Sequence, residues 1–424
     1  MRFSAPRTIS GEYVPPPSKS YTHRAMVAAA LADGESLILR PLVSDDTAAT
    51  ARALRLLGTR LIRRGDTLVV RPAALRAPGD VIDCGGSGTT IRFLSSVASL
   101  TDGGYTVLTG SRRLRERPVG PLLDALSQLG VHAESTRRNG LPPVIVRGGG
   151  MRGGSATISA AESSQYVSSI LLSAPRSRDG VELRVSGIVS RTYVDATLAV
   201  MESFGARFRR SGYESFGVEP TGYRGTRFEV PGDYSSASYA MALAAAVGGT
   251  LVVRGLGTFP QADARIIEVL ENMGARLRPG ADGSLTVESD GALRGGSFDL
   301  RDSPDLLPVV AVLGALASGR TRITGIAHTR LKESDRPAAM AEELTKLGCR
   351  VWVGDDWLEI QGPASPPTST VVLSDHGDHR IFMSLAVASA ALRGRVALAP
   401  SRSYAKSYPG FLDDMRKLGV DIIN

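Results

Sequence analysis

Three of the five lysines in this 424-residue chain stand in segments suited to acid–base or anion chemistry. Lys19 lies in Pro17-Ser-Lys-Ser20, Lys332 in Leu331-Lys-Glu-Ser-Asp-Arg336, and Lys406 in Ala405-Lys-Ser-Tyr-Pro409. All the rest of its 50 basic residues are arginine. Arginine is a permanently charged planar fork, whereas lysine is a compact ammonium whose pKa can be moved. A high-GC coding bias would also thin out lysine and leave a few at random, so the neighbours decide. Four arginines crowd into Arg112–Arg117, and guanidinium forks match phosphate and carboxylate geometry. An exposed basic loop would read the same way. Lys332 and Arg336, four apart, are expected on one face of the helix that follows, where a surface ion-pair ladder is the plain alternative.

The elements that must position these groups repeat six times. A helical pattern ending in glycine recurs at Gly58, Gly130, Gly205, Gly274, Gly348 and Gly419, with spacings of 72, 75, 69, 74 and 71 residues. Each glycine suits the left-handed position that ends a helix. A β-type segment precedes each helix and another follows the glycine. After four of the first five, a turn leads into a second strand. A second, nearly all-apolar helix family interleaves with the first: 24–32, 92–100, 166–174, 239–247, 306–317 and 380–392. A helix apolar all round is buried. The unit is therefore strand, amphipathic helix, strand, strand, buried helix, and six units divide into two lobes of three.

Ahead of the buried helices stand Ser18-Lys19-Ser20, Gly85–Thr90, Glu162–Gln165, Asp233–Ser236, Asp302–Asp305 and Asp378-His379-Arg380. Helix N-termini present free N–H groups and about half a positive charge, which makes them anion sites. Ser, Thr and Asp also cap helices for purely structural reasons. Capping accounts for Asp233–Ser236 but not for Lys19, Gln165 or the His379-Arg380 pair.

Bulk composition narrows the field. The length calls for two domains of about 200 residues. Two cysteines, Cys84 and Cys349, exclude a disulfide framework and a cysteine-rich metal site, and they fit a reducing compartment. No apolar run reaches the ~18 residues of a membrane span. A motif as early as Pro17–Ser20 speaks against a leader peptide. The net charge of +8 suits nucleic acid in principle, yet the arginines are scattered and only 5% of residues are aromatic. An anionic small substrate explains the balance as well.

Taken in order along the chain, the segments are more specific than any one of them. Pro-Ser-Lys-Ser-x-x-x-Arg24, Ser44-Asp-Asp-Thr47, Gly86-Ser-Gly-Thr-Thr-x-Arg92, Arg113-Leu-Arg-Glu-Arg-Pro118, Ser163-Ser-Gln-Tyr166, Ser303-Pro-Asp305, Lys332-Glu-Ser-Asp-Arg336, Asp378-His-Arg380 and Ala405-Lys-Ser-Tyr-Pro409 together resemble the 5-enolpyruvylshikimate-3-phosphate synthase family, from about residue 10 to 420. The resemblance implies transfer of the enolpyruvyl group of phosphoenolpyruvate to the 5-hydroxyl of shikimate 3-phosphate, with release of phosphate through a tetrahedral intermediate. It implies an α/β fold of two lobes, an inside-out α/β barrel of six βαβαββ units, three per lobe. Because chains of this family start in one lobe, build the other and return, residues 13–225 are expected in the first and 1–12 with 226–424 in the second. The active site would lie in the cleft between them.

Roles carry over residue by residue as implications of that resemblance. Lys19 would contact both substrates. Shikimate 3-phosphate would meet Ser20, Arg24, Ser163, Ser164, Gln165, Ser190, Tyr193, Asp305, His328 and Lys332. Phosphoenolpyruvate would meet Gly88, Arg113, Gln165, Arg336, Arg380 and Lys406. Asp305 would be the base for the 5-hydroxyl, and Glu333, beside Lys332, the proton donor to the methylene carbon. No metal or cofactor is implied; the expected enzyme is a cytoplasmic monomer without nucleic-acid or membrane partners. Two phosphomonoesters and two carboxylates carry about five to six negative charges near neutrality, which calls for clustered cations and helix N-termini. Two positions depart from the pattern. Many members have Asn where this chain has Gly86, and Asn where it has His328, an imidazole that could introduce a titration at about pH 6–7. Two rivals remain. An enolpyruvyl transferase acting on a UDP-sugar would carry a reactive cysteine, but the Arg112–Arg117 loop has none and Cys84 reads as a strand residue. An RNA 3′-phosphate cyclase would need a nucleophilic histidine, for which His379 is the one attractive candidate.

Overall fold

Helices of two kinds alternate along the chain, as the two apolar patterns require. The computed structural model describes residues 1–365, 371–393 and 396–423. Among them are twelve α-helices: α1 (Lys19–Ala30), α2 (Asp45–Leu56), α3 (Gly88–Ala98), α4 (Gly120–Gln128), α5 (Gln165–Ser173), α6 (Thr192–Ser203), α7 (Tyr234–Val247), α8 (Ile266–Asn272), α9 (Leu307–Leu316), α10 (Arg336–Lys346), α11 (His379–Ala391) and α12 (Phe411–Lys417). The odd-numbered helices are buried almost throughout, for example Leu307 to Ala315 in α9 and Tyr166 to Ser173 in α5. The even-numbered ones bury one stripe, such as Ala49, Ala53 and Leu54 of α2. All six glycines that end the even-numbered helices have positive φ, from 79° to 108°, a conformation that costs glycine nothing.

The chain forms two compact units, residues 1–16 with 231–424, and residues 17–230. Each holds three four-stranded sheets of identical order. In the unit of residues 17–230, Arg227–Glu229 runs parallel to Ser36–Leu39, which is antiparallel to Thr67–Arg71, itself antiparallel to Arg60–Arg64. The other five sheets repeat this pattern of one parallel pair followed by two antiparallel ones. In the unit of residues 231–424 the N-terminal segment completes two sheets: Ile9–Tyr13 pairs in parallel with Gly249–Val253, and Arg2–Ser4 lies antiparallel to Val396–Leu398 and Asp421–Ile423. These pairings carry the changeover to Pro16 and Val230, a few residues beyond the boundaries expected from the family pattern.

Three details differ from the sequence reading. Each buried helix follows a short strand that the repeat pattern did not contain, such as Ile82–Asp83 before α3 and Val371–Leu373 before α11. A second strand follows the turn in all five of the first five repeats, not four. Several buried helices also start earlier than their apolar runs: α1 opens at Lys19, α3 at Gly88 and α7 at Tyr234. Their polar first turns are the motif segments themselves, so the motifs are helix N-termini rather than loops ahead of them.

Candidate active site

A buried guanidinium organises the unit of residues 231–424. Arg336, the first residue of α10 and 1% exposed, pairs with three carboxylates: Nε with Asp378 Oδ2 at 2.9 Å, Nη1 with Asp305 Oδ1 at 2.7 Å, and Nη2 with Glu333 Oε2 at 3.2 Å. Asp305 sits in the 3₁₀ turn Pro304–Leu306 that leads into α9, and its other oxygen takes Arg380 Nη2 at 2.7 Å. Glu333 also faces Lys406 Nζ at 3.4 Å. Asp378 is fully buried and caps α11 by accepting from Arg380 N at 2.9 Å. Four chain segments thus bring Asp305, Glu333, Arg336, Arg380 and Lys406 together.

Electrostatics decide the protonation states there. Burial works against an ionised Asp305, but Arg380, Arg336 and Lys332 outweigh it and hold the carboxyl well below its usual range. Burial also works against the charge of Arg336, and Asp378, Asp305 and Glu333 overcome it, so its pKa stands above the ordinary value. His328 is buried, and that burial together with Lys332 pushes its pKa down to about 3. The imidazole is therefore neutral at neutral pH, and the titration expected of it near pH 6–7 does not arise. A different group occupies that range. Asp263 is 2% exposed, and burial reinforced by Asp305 pushes its carboxyl up to about 7. His328→Asn should accordingly leave any inflection of kcat/KM at about pH 6–7 in place, measured as a pH–rate profile; loss of the inflection would restore His328 as the titrating group.

In the unit of residues 17–230 the N-terminal turns of α1, α3 and α5 are linked. Lys19 Nζ pairs with Asp46 Oδ2 at 2.9 Å, at the start of α2, where Ser44 and Thr47 form a capping box. The Asp46 carbonyl accepts from Thr90 Oγ1 at 3.4 Å, and Thr89 Oγ1 accepts from Gln165 Nε2 at 2.9 Å. The carbonyl of Gln165 is turned to Arg92 Nη1 at 2.8 Å, with Ser163 Oγ at 3.3 Å from the same nitrogen. Ser18 and Ser164 make no side-chain cap bond, whereas Ser87 accepts from Thr90 N at 3.2 Å. Arg24 is 2% exposed and bonded to Ser20 O, Tyr193 O and Thr197 Oγ1 at 2.8–2.9 Å. Burial pulls its pKa down to about 10, still far above neutrality. Among the described residues no carboxylate pairs with it, so its buried charge is held by two carbonyls and a hydroxyl alone. Ser190 is buried and held at a φ of 55°.

Residues 3–415 match the family model of EPSP synthase (3-phosphoshikimate 1-carboxyvinyltransferase). The chain belongs to the EPSP synthase family. A 3-phosphoshikimate 1-carboxyvinyltransferase of Methanothermobacter thermautotrophicus is 46% identical over 415 residues, covering 97% of this chain and 96% of the relative. One from Korarchaeum cryptofilum is 42% identical, with 98% of each chain covered. The solved EPSP synthase of Acinetobacter baumannii superposes with a TM-score of 0.82 at 27% identity, covering 100% of this chain and 99% of that one. An enolpyruvyl transferase of Streptomyces tendae, NikO, shares the fold at a TM-score of 0.78 and 22% identity. The α/β enolpyruvyl transferase fold expected from the motifs is the one observed.

Against that family pattern, some expected residues sit differently from their sequence reading. Lys332 and Arg336 do not share a helix face, because Asp335 caps α10 by accepting from Ala338 N, and Lys332 ends the 3₁₀ turn Ala327–Leu331. Arg113 is half-buried on its loop and pairs with Glu116 at 3.4 Å. Its neighbour Arg117 is buried instead, with its guanidinium lying over Gly88: a Cβ at that glycine would stand 2.7–2.8 Å from it. Cys84 falls just past the strand Ile82–Asp83; burial pushes its thiol well above the usual range, which removes it as a nucleophile. Asp46, Arg92, Arg117, Asp263 and Asp378 had no role in the sequence reading. All but Asp263 lay inside the motifs of the sequence, but their pairings, such as Asp46 with Lys19 and Asp378 with Arg336, arise only on folding.

Among the described residues no helix is long and apolar enough to cross a membrane. Glu342, Glu343 and His376 place three possible ligand atoms within 4.8 Å, but the ammonium of Lys346 already stands 2.8 Å from Glu343 Oε1 and 3.0 Å from Glu342 Oε1.

Proposed function

We infer that this chain is a 3-phosphoshikimate 1-carboxyvinyltransferase, transferring the enolpyruvyl group of phosphoenolpyruvate to the 5-hydroxyl of shikimate 3-phosphate and releasing phosphate, a step of aromatic amino-acid biosynthesis. The observation that carries this is the family match over residues 3–415. We further propose a cytoplasmic monomer that works on these two small molecules without metal, cofactor, nucleic acid or membrane.

The unit of residues 17–230 supplies the shikimate 3-phosphate contacts. Ser163, Ser164, Gln165 and Ser190 bind that substrate, with Tyr193 alongside; Arg24 meets its negative charge, and Lys19 reaches both substrates. Gly88 and Arg113 contribute to phosphoenolpyruvate. The other unit supplies Arg336, Arg380 and Lys406 for phosphoenolpyruvate, together with the acid and base, and Lys332 and His328 on the shikimate 3-phosphate side.

In the addition step O5 attacks C2 of phosphoenolpyruvate while Asp305 takes the hydroxyl proton, and Glu333, supported by Lys332, protonates C3 to a methyl group. Elimination returns a proton from C3 and breaks the C2–O bond to phosphate. A carboxylate held between two guanidinium groups is a poor base. The carboxylate and phosphate of phosphoenolpyruvate are competing partners for Arg336 and Arg380, so their arrival frees Asp305 and restores its basicity. The base is thereby switched on by the substrate it acts with.

Phosphate release from phosphoenolpyruvate tests the reading. Release should depend on shikimate 3-phosphate and should not occur with a UDP-sugar in its place, and a 3′-phosphorylated RNA end with ATP should yield neither cyclic phosphate nor AMP. No turnover with shikimate 3-phosphate would sink it, and turnover with either alternative would install that rival.

A further inference from the structure

Arg380 in the first turn of α11 and Lys406 at the end of a 3₁₀ turn stand on different segments, and one half-buried carboxylate ties those segments together. Arg380 follows the turn Ser374–Asp378, and Lys406 ends the 3₁₀ turn Ser403–Lys406. Asp375, in the first turn, accepts at Oδ2 from Ser401 Oγ at 2.5 Å and from Ser403 Oγ at 2.6 Å. Its Oδ1 accepts from Gly377 N at 3.0 Å and its carbonyl from Asp378 N at 2.8 Å. Ser401 Oγ in turn accepts from Ser403 N at 3.1 Å, which locks the receiving segment.

The same turn is fastened elsewhere by other groups. His376 Nε2 meets Glu343 Oε1 at 2.7 Å and Ser374 N donates to Glu343 Oε2 at 3.0 Å, both on α10, whose first residue is Arg336. Asp378 accepts from Arg336 Nε at 2.9 Å. Its register to Arg336 is therefore doubly held. Among the described residues, the hydrogen bonds that join the turn to residues 401–406 all run through Asp375.

We propose that Asp375 is a positioning residue for phosphoenolpyruvate: it sets the spacing between the guanidinium of Arg380 and the ammonium of Lys406. This rests on the reading that those two cations hold that substrate. The two like charges repel, and although the ring of Tyr404 packs 5.3 Å from that of Phe382 on α11, an apolar contact leaves the register between the segments to be fixed at the cost of substrate binding energy. Asp375 supplies that order beforehand. It lies at no core position, so its loss does not unpack the unit.

In the full-length enzyme Asp375→Ala should raise KM for phosphoenolpyruvate about tenfold, the worth of one or two charge-assisted hydrogen bonds. KM for shikimate 3-phosphate should stay within about twofold and kcat within about threefold, as expected when only one substrate's binding is affected. The double variant Ser401→Ala/Ser403→Ala, with Asp375 intact, should reproduce the selective rise, and combining all three changes should add little, because one interaction is removed either way. Additive penalties, or equal rises in both KM values, would overturn the proposal. Lys406→Ala separates the two layers of the argument. If it leaves KM for phosphoenolpyruvate unchanged, the assignment of the cations fails; if it raises that KM while Asp375→Ala does not, Asp375 alone is misassigned.

Discussion

Asp305→Ala should still bind both substrates and lose turnover by a factor of about 10²–10⁴, the range for removal of a positioned general base. In the proposed reaction Asp305 has two jobs. At rest it is the counter-ion of Arg336 and Arg380, at 2.7 Å from each. During turnover it accepts the proton of the 5-hydroxyl. Alanine abolishes the second job but also removes one competing carboxylate from each guanidinium, with Arg336 keeping Asp378 and Glu333. Apparent affinity for phosphoenolpyruvate should therefore hold or improve while kcat collapses, a split that equilibrium binding beside steady-state kinetics will resolve. Wild-type kcat in the variant would remove Asp305 from the base role. Collapse of phosphoenolpyruvate binding instead would show that its pairing with the arginines is required to build the site.

Lys19→Arg should cost about 10² in kcat/KM, the penalty of misplacing a group by about an ångström, whereas Lys346→Arg should be nearly silent. The two lysines are in different surroundings. Lys19 opens the buried helix α1 and is held to Asp46, whose side chain is 6% exposed, at 2.9 Å. The larger planar fork places its charge on two nitrogens farther from the backbone, and it cannot give up a proton. Lys346 is in the last turn of α10, beside Glu342 and Glu343, where either cation complements the helix dipole. Lys417 occupies the matching place in α12, paired with Asp414 at 2.8 Å. Equal effects at Lys19 and Lys346 would return the scarcity of lysine to coding bias alone.

Much of the fold was legible because its signals are local. A helix that ends in a left-handed residue advertises the glycine, so six such glycines at near-constant spacing counted the repeats before any contact was known. The buried helices announced themselves through unbroken apolar runs. The leading strands did not: Ile82–Asp83 has two residues, and Ile9–Tyr13 pairs with Gly249–Val253, some 240 residues away, so neither periodicity nor proximity marks them. The site divides along the same line. Lys19, Gln165 and the His379-Arg380 pair stood out ahead of buried helices, where ordinary capping does not explain them, whereas Arg336 showed in the residues only as a helix-face partner of Lys332. Asp378 reads as an N-cap, and only folding shows that its second oxygen is the buried partner of Arg336. Within Arg112–Arg117 four arginines look alike in sequence; tertiary packing alone buries Arg117 against Gly88 and leaves Arg113 half-buried beside Glu116.

The central claim is a transfer of carbon with loss of the phosphoenolpyruvate phosphate, and phosphorus NMR of a single reaction mixture reads it directly. With equimolar substrates the phosphoenolpyruvate signal should disappear as inorganic phosphate rises one for one, while the phosphorus of shikimate 3-phosphate persists, shifted, in the product. Inorganic phosphate that appears without any change in the shikimate 3-phosphate signal, or no consumption of phosphoenolpyruvate at all, would contradict it.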